Sequence, residues 1–177
     1  MPLPSKTKRL TILGLLGAVA FVLSWLDSHI PVSGVLPGAR LGLANLSVLA
    51  GLYLLGPGPA AVLCLLKILL STFLFGNALS FFYALAGGIL SFAVMALLTR
   101  RCSVVFVSVM GGMFHNIGQI AVAAAVMETA GLLGYLPLLL LCGVGAGCAV
   151  GVAGGILIGR LKRLGVQPLP RGPRQDG

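Results

Sequence analysis

The chain has 177 residues, 58% hydrophobic and only 8% charged. Soluble domains carry about 25% charged residues, because something must face water, so the composition argues against a soluble enzyme. The net charge is +9, from 12 Lys and Arg against 3 Asp and Glu. The basic residues sit at the ends of apolar segments, and one Trp and three Tyr offer little base stacking. Nucleic acid is therefore not an expected partner. A Lys/Arg bias on the cytoplasmic side of an inner-membrane protein is.

The carboxylates exclude more. Asp27, Glu128 and Asp176 are far apart, whereas a magnesium-diphosphate site needs clustered carboxylates and a glycosidase needs a flanking pair. Cys64, Cys102, Cys142 and Cys148 form no CxxC pair and read as small apolar residues. No cofactor and no metal site are expected.

In chain order, residues 1–9 form a basic N-terminus with Lys6, Lys8 and Arg9, followed by an apolar run from Leu10 to Leu26. The run is long, no A-x-A site follows, and more apolar segments come after it, so it reads as a retained span rather than a signal peptide. Trp25 and Asp27 suit its interfacial end. The second apolar stretch, Ala44 to Leu55, covers about 18 Å, short of the ~30 Å hydrocarbon core. Starting the helix at Pro37, a favoured first-turn residue, extends it to about 28 Å and brings Arg40 into its first turn. Gly56-Pro57-Gly58-Pro59 then predicts a sharp turn. Further spans are expected over 60–75, 78–98, 103–127 and 136–159. Residues 165–177, rich in Pro and Gly, read as a disordered cytoplasmic tail. The expectation is an all-α membrane domain of six helices over 10–164.

With both termini inside, Lys6, Lys8, Arg9, Arg100, Arg101, Arg160, Lys162, Arg163, Arg171 and Arg174 are cytoplasmic, ten of the twelve basic residues. Asp27, His29 and Glu128 fall outside. Arg40 and Lys67 are the exceptions, and so the residues of interest. Lys67 lies mid-span, where a charge costs roughly 2.5–3.5 kcal/mol on insertion scales. It either meets an anion in a polar cavity or snorkels, although the nearer surface is about 12 Å away. Arg40 beside a helix N-terminus suits a phosphate or carboxylate. A salt bridge to Asp27 or Glu128, or simple exposure, is the alternative. His115, Asn116 and Gln119 form the densest polar group in any span, with His115 and Gln119 one turn apart. They either face a cavity or act as interhelical glue. One histidine with two amides is a poor metal site. Asn45, mid-helix in the extended second span, suits a cavity. Asn77 after Gly76 suits a turn. Arg40, Asn45, Lys67, Asn77, His115, Asn116 and Gln119 are the substrate-binding candidates, and none is expected to be catalytic.

Small residues form ridges. Gly143, Gly147, Gly151, Gly155 and Gly159 recur every four residues, which lets helix backbones approach closely. That ridge serves packing within the bundle or a partner protein. Ala84-x-x-x-Gly88 is a shorter version in the fourth span, and Gly14-x-x-x-Ala18 one in the first.

Three segments together resemble a known family. They are Pro37-Gly38-Ala39-Arg40-Leu41-Gly42-Leu43-Ala44-Asn45, Gly76 with Phe82 and Ala86-Gly87-Gly88, and His115-Asn116-Ile117-Gly118-Gln119. The pattern resembles the Gx transporters, also labelled heptaprenyl diphosphate synthase component I, over about residues 8–165. That family is similar to the substrate-binding S components of energy-coupling factor (ECF) transporters. The resemblance implies six helices and a small-molecule pocket toward the outer side. It also implies a first helix whose small residues, here Gly14 and Ala18, dock on a transmembrane coupling subunit that works with ATPases. The chain departs at position 67, where arginine is usual. Lysine keeps the charge but loses the bidentate geometry.

Three functions compete. A substrate-binding subunit for uptake of a small, vitamin- or precursor-type molecule, anionic by the charge of its candidates, is favoured by the buried cation and the polar fifth span. An accessory subunit of heptaprenyl diphosphate synthase is the second, since catalysis there needs Asp-rich magnesium sites that this chain lacks. A structural membrane scaffold is the third. No GK[ST] phosphate loop occurs, so ATP-driven work would come from a partner.

Overall fold

The computed structural model describes residues 6–29, 42–76 and 78–163. Arg40, Asn77, residues 1–5 and the expected tail at 165–177 lie outside the described residues. The chain forms α1 (Lys6–His29), α2 (Asn45–Leu54), α3 (Pro57–Phe75), α4 (Ala78–Leu98), α5 (Val104–Val126), a 3₁₀ turn (Ala130–Tyr135) and α6 (Leu136–Arg163), with no strand among the described residues. Five of the six helices are long and apolar enough to cross a membrane. Their outward sides carry exposed Leu, Val, Ile and Phe, including Leu10, Phe73, Leu97 and Leu141, as a face against hydrocarbon requires.

α2 departs from the expected long second span. It has 10 residues, about 15 Å, and does not start at Pro37. Gly42 has φ +80°, outside helical geometry and favoured by glycine. A turn follows, in which the Asn45 amide donates to the Gly42 carbonyl at 2.9 Å. Arg40 therefore does not belong to the first turn of α2, and Asn45 is its first residue rather than a mid-helix one. Gly56, with φ +89° and ψ 179°, ends the segment. Pro57 and Pro59, expected in a turn, instead open α3, where the first amides need no intrahelical partner.

α2 is the centre of the molecule, with eight of its ten residues buried. α1 covers one side through Ile12 and Leu16, packed with Ala50, Leu54 and Leu63. Glycines set the remaining distances. A Cβ at Gly51 would meet Leu63 of α3 at 2.6 Å, and one at Gly154 of α6 would meet Leu49 at 2.8 Å. α5 lies between α4 and α6. A Cβ at Gly118 would stand 2.7 Å from Gly87 Cα, one at Gly147 2.6 Å from Val109 Cα, and one at Gly151 2.7 Å from Val105 Cα. The Gly143, Gly147 and Gly151 part of the ridge thus packs inside the bundle. Gly155 and Gly159 meet nothing within 4 Å.

Two sets of bonds order the ends. At the end bearing the basic residues, Arg9 donates to the Leu55 carbonyl at 3.4 Å and the Tyr53 hydroxyl to the Cys102 carbonyl at 3.4 Å. At the opposite end, the Gly42 amide donates to Asp27 Oδ2 at 2.9 Å. α1 and α2 are therefore antiparallel, and the chain re-enters the bundle part-way down.

Candidate functional site: a polar cavity between α1, α3, α4 and α5

The described residues at the start of α2 border a space shared with the neighbouring helices. A cavity of about 20 Å³ remains there, room for about one water. α1 contributes Ser24 and Asp27, the stretch before α2 Gly42 and Ala44, and α3 Lys67, Ser71 and Thr72. α4 contributes Ser80 and Ala84, and α5 His115 and Gln119. Lys67 is ten residues from the start of α3 and His115 eleven from the start of α5, so both lie about 15–17 Å from the basic end. The cavity occupies the half of the bundle away from that end.

Lys67 does not snorkel. It is 5% exposed, and its ammonium donates to Asn45 Oδ1 at 2.5 Å. Asn45 can reach it because Gly42 turns the chain. A Cβ at Gly42 would stand 3.0 Å from Asn45 Nδ2, so a larger residue there would crowd the amide. Asn45 thus holds Lys67 from behind rather than lining the cavity itself.

His115 and Gln119, one turn apart on α5, meet at 3.1 Å between Nε2 atoms. The other face of the ring lies against Gly87, where a Cβ would stand 3.0 Å from Nδ1. Small residues on α4 therefore fix the imidazole.

Asn116 corrects the expected grouping. It is turned about 100° from His115 on the helix and faces α6, donating to the Leu139 carbonyl at 2.5 Å. It ties α5 to α6 and does not line the cavity. Asn116→Leu should cost about 0.6–2 kcal/mol of bundle stability, measured by unfolding in detergent.

Asp27 and Ser24 were not among the candidates. Asp27, read as an interfacial charge, is 5% exposed and points inward. The available signal is register. Ile12, Leu16, Ala20, Ser24 and Asp27 recur every three or four residues and form the buried stripe of α1. Ser24 is 1% exposed, and its hydroxyl has no hydrogen-bond partner among the described residues. Buried hydroxyls normally have one, so Ser24 is a polar group directed at the cavity. Among the described residues the lining thus carries one formal cation and one formal anion. Arg40 and Asn77 cannot be placed against it, both lying outside the described residues.

Gly14 and Ala18 lie on the exposed side of α1. Among the described residues, a Cβ at Gly14 would meet nothing within 4 Å, and Ala18 is exposed.

The family model described as heptaprenyl diphosphate synthase component I matches residues 16–157. The chain belongs to that family. The match covers the helices that build the cavity, from α1 to most of α6. Comparison with curated proteins and with solved structures gave no match.

Proposed function

We propose that this chain is the membrane-embedded substrate-binding subunit of a small-molecule uptake system. In this reading it resembles an ECF S component, with six helices in the cytoplasmic membrane and both termini cytoplasmic. One observation carries the reading: Asp27, Lys67, Ser24, His115 and Gln119 converge on a single cavity inside an apolar bundle. Each would cost free energy in hydrocarbon, and a scaffold has no use for them. If the basic end is cytoplasmic, the cavity lies in the outer half, on the side from which uptake begins. Lys67 would take a carboxylate or phosphate of the ligand, with Gln119 and Ser24 orienting it. Ligand pockets commonly measure about 300–1,000 Å³, so binding would widen the present space. Purified protein should retain a small molecule detectable by mass spectrometry, and Lys67→Met should lose it. If wild type and variant retain the same molecules equally, the cavity is not the binding site.

Transport work would come from a separate coupling subunit with its ATPases, docked on the Gly14 and Ala18 face of α1. Replacing both residues with Leu should leave the bundle folded and remove the partner from pull-downs. A complex that survives would reassign this face to lipid.

The family description favours a second reading, a membrane accessory subunit of heptaprenyl diphosphate synthase. Catalysis would then belong to a partner, because the chain's three acidic residues are dispersed and a magnesium-diphosphate site needs them clustered.

A further inference from the structure

Asn45 stands between two spaces. Toward the polar cavity, its Oδ1 accepts from the Lys67 ammonium at 2.5 Å. An ammonium only donates, so the amide oxygen faces it and the amide nitrogen turns the other way. On that other side a second cavity of about 10 Å³ lies between the start of α2, α5 and α6, about the least that holds one water. Gly42 and Asn45 line it from the α2 side, Ser108 and Gly112 from α5, and Ala146 and Gly147 from α6. Asn45 and Ser108 are both more than nine-tenths buried. Neither Asn45 Nδ2 nor the Ser108 hydroxyl has a hydrogen-bond partner among the described residues. Buried polar groups normally have one, in protein or in ordered water. The frame of the space is stiff. A Cβ at Gly112 would stand 2.5 Å from the Gly143 carbonyl oxygen, and one at Gly147 2.6 Å from Val109 Cα. α5 and α6 already touch through backbone, so they cannot move closer to fill it.

We propose that this second cavity is a site for one water, which accepts from the Asn45 amide and donates to the Ser108 hydroxyl, and which makes Asn45 the positioning residue for Lys67. The chemistry of the wall suits water. It offers an amide donor and a hydroxyl, two partners for one molecule, and no formal charge to hold an ion. The consequence falls on the other side of Asn45. A side-chain amide held at its oxygen alone can still rotate about its last torsion, which is broad. Held at both ends, it is fixed, and the Lys67 ammonium then meets the polar cavity at a fixed point. Lys67, Asn45, the water and Ser108 form a polar chain from α3 through α2 to α5. This goes beyond the substrate-binding reading and stands without it, because it concerns the protein and water alone.

Solid-state NMR of the full chain in lipid bilayers, with ¹⁵N in Asn and Lys, tests this by magnetisation transfer from water to the side-chain amides. Asn45→Ala identifies the Asn45 signal. Asn116 is the internal reference, because its amide donates to the Leu139 carbonyl at 2.5 Å. Wild type should show transfer to Asn45 Nδ2 and little to Asn116. Ala146→Val adds methyl groups beside the second cavity and leaves both polar partners in place. It should abolish the transfer and shift the Lys67 Nζ resonance. Ser108→Ala is the milder variant, informative even where Ala146→Val fails to fold. It takes one partner from the water, and should weaken the transfer and shift Nζ in the same direction. No transfer in wild type overturns the site. Transfer that persists unchanged in both variants also overturns it, since water would then reach Asn45 from the Lys67 side. Transfer lost with Lys67 Nζ unmoved keeps the water site and overturns the positioning role of Asn45.

Discussion

Lys67→Met alone is expected to destabilise the bundle by about 3 kcal/mol, and Asp27→Asn alone by a similar amount. Each single change leaves the other formal charge in a cavity with room for about one water. Removing one partner of a buried set is costly because the remaining charge is uncompensated. The double variant Asp27→Asn with Lys67→Met restores neutrality. It should be more stable than the sum of the singles by about 1–3 kcal/mol. Unfolding of the four proteins in one detergent measures this coupling. Additive losses would show that the two charges do not balance each other across the cavity. The singles differ in a second respect. Lys67→Met also frees Asn45 Oδ1, its acceptor at 2.5 Å, whereas Asp27→Asn keeps a carbonyl oxygen able to accept from the Gly42 amide, bound at 2.9 Å in wild type, and so removes the charge alone.

The sequence made the apolar helices legible because length and hydropathy are local. α4 was expected over 78–98 and is found there, and α5 and α6 shift by a few residues at their ends. α2 was not legible. Its extension to Pro37 rested on matching the bilayer thickness, and Gly42 looks like any glycine until its φ of +80° is known. A helix packed on nearly every side needs no full span to satisfy its backbone. Lys67 stood out because a cation in an apolar run has few explanations. Asp27 did not, because a charge near a helix end fits an interface equally well. Only the register of Ile12, Leu16, Ala20 and Ser24 places it inside. His115, Asn116 and Gln119 were read as one group. Helical rotation divides them, and which neighbour each would meet depends on how α4 and α6 flank α5, a tertiary fact.

The close crossing of α4 and α5 should be the other sensitive point. A Cβ at Gly118 would stand 2.7 Å from Gly87 Cα, 2.8 Å from the Ala86 carbonyl oxygen and 2.9 Å from the Ala86 carbonyl carbon. All three are backbone atoms, so no side-chain rotation relieves the contact and the helices must separate. Gly118→Ala is therefore expected to cost about 2–3 kcal/mol or more. The damage should extend to the site, because His115 and Gln119 flank Gly118 on α5, and α4 carries Ser80 and Ala84 on the cavity's far wall. Affinity for any cavity ligand should fall at least about tenfold, a loss of 1.4 kcal/mol. Gly155→Ala is the matched control. It is the same chemical change in a helix, at a position where nothing lies within 4 Å, and should gain up to about 1 kcal/mol from helix propensity. Unfolding midpoints of the two variants, read beside their ligand affinities, separate a helix-propensity effect from a packing one. Equal behaviour would mean that α4 and α5 do not meet at Gly87 and Gly118, and the imidazole would then lose the wall that holds it.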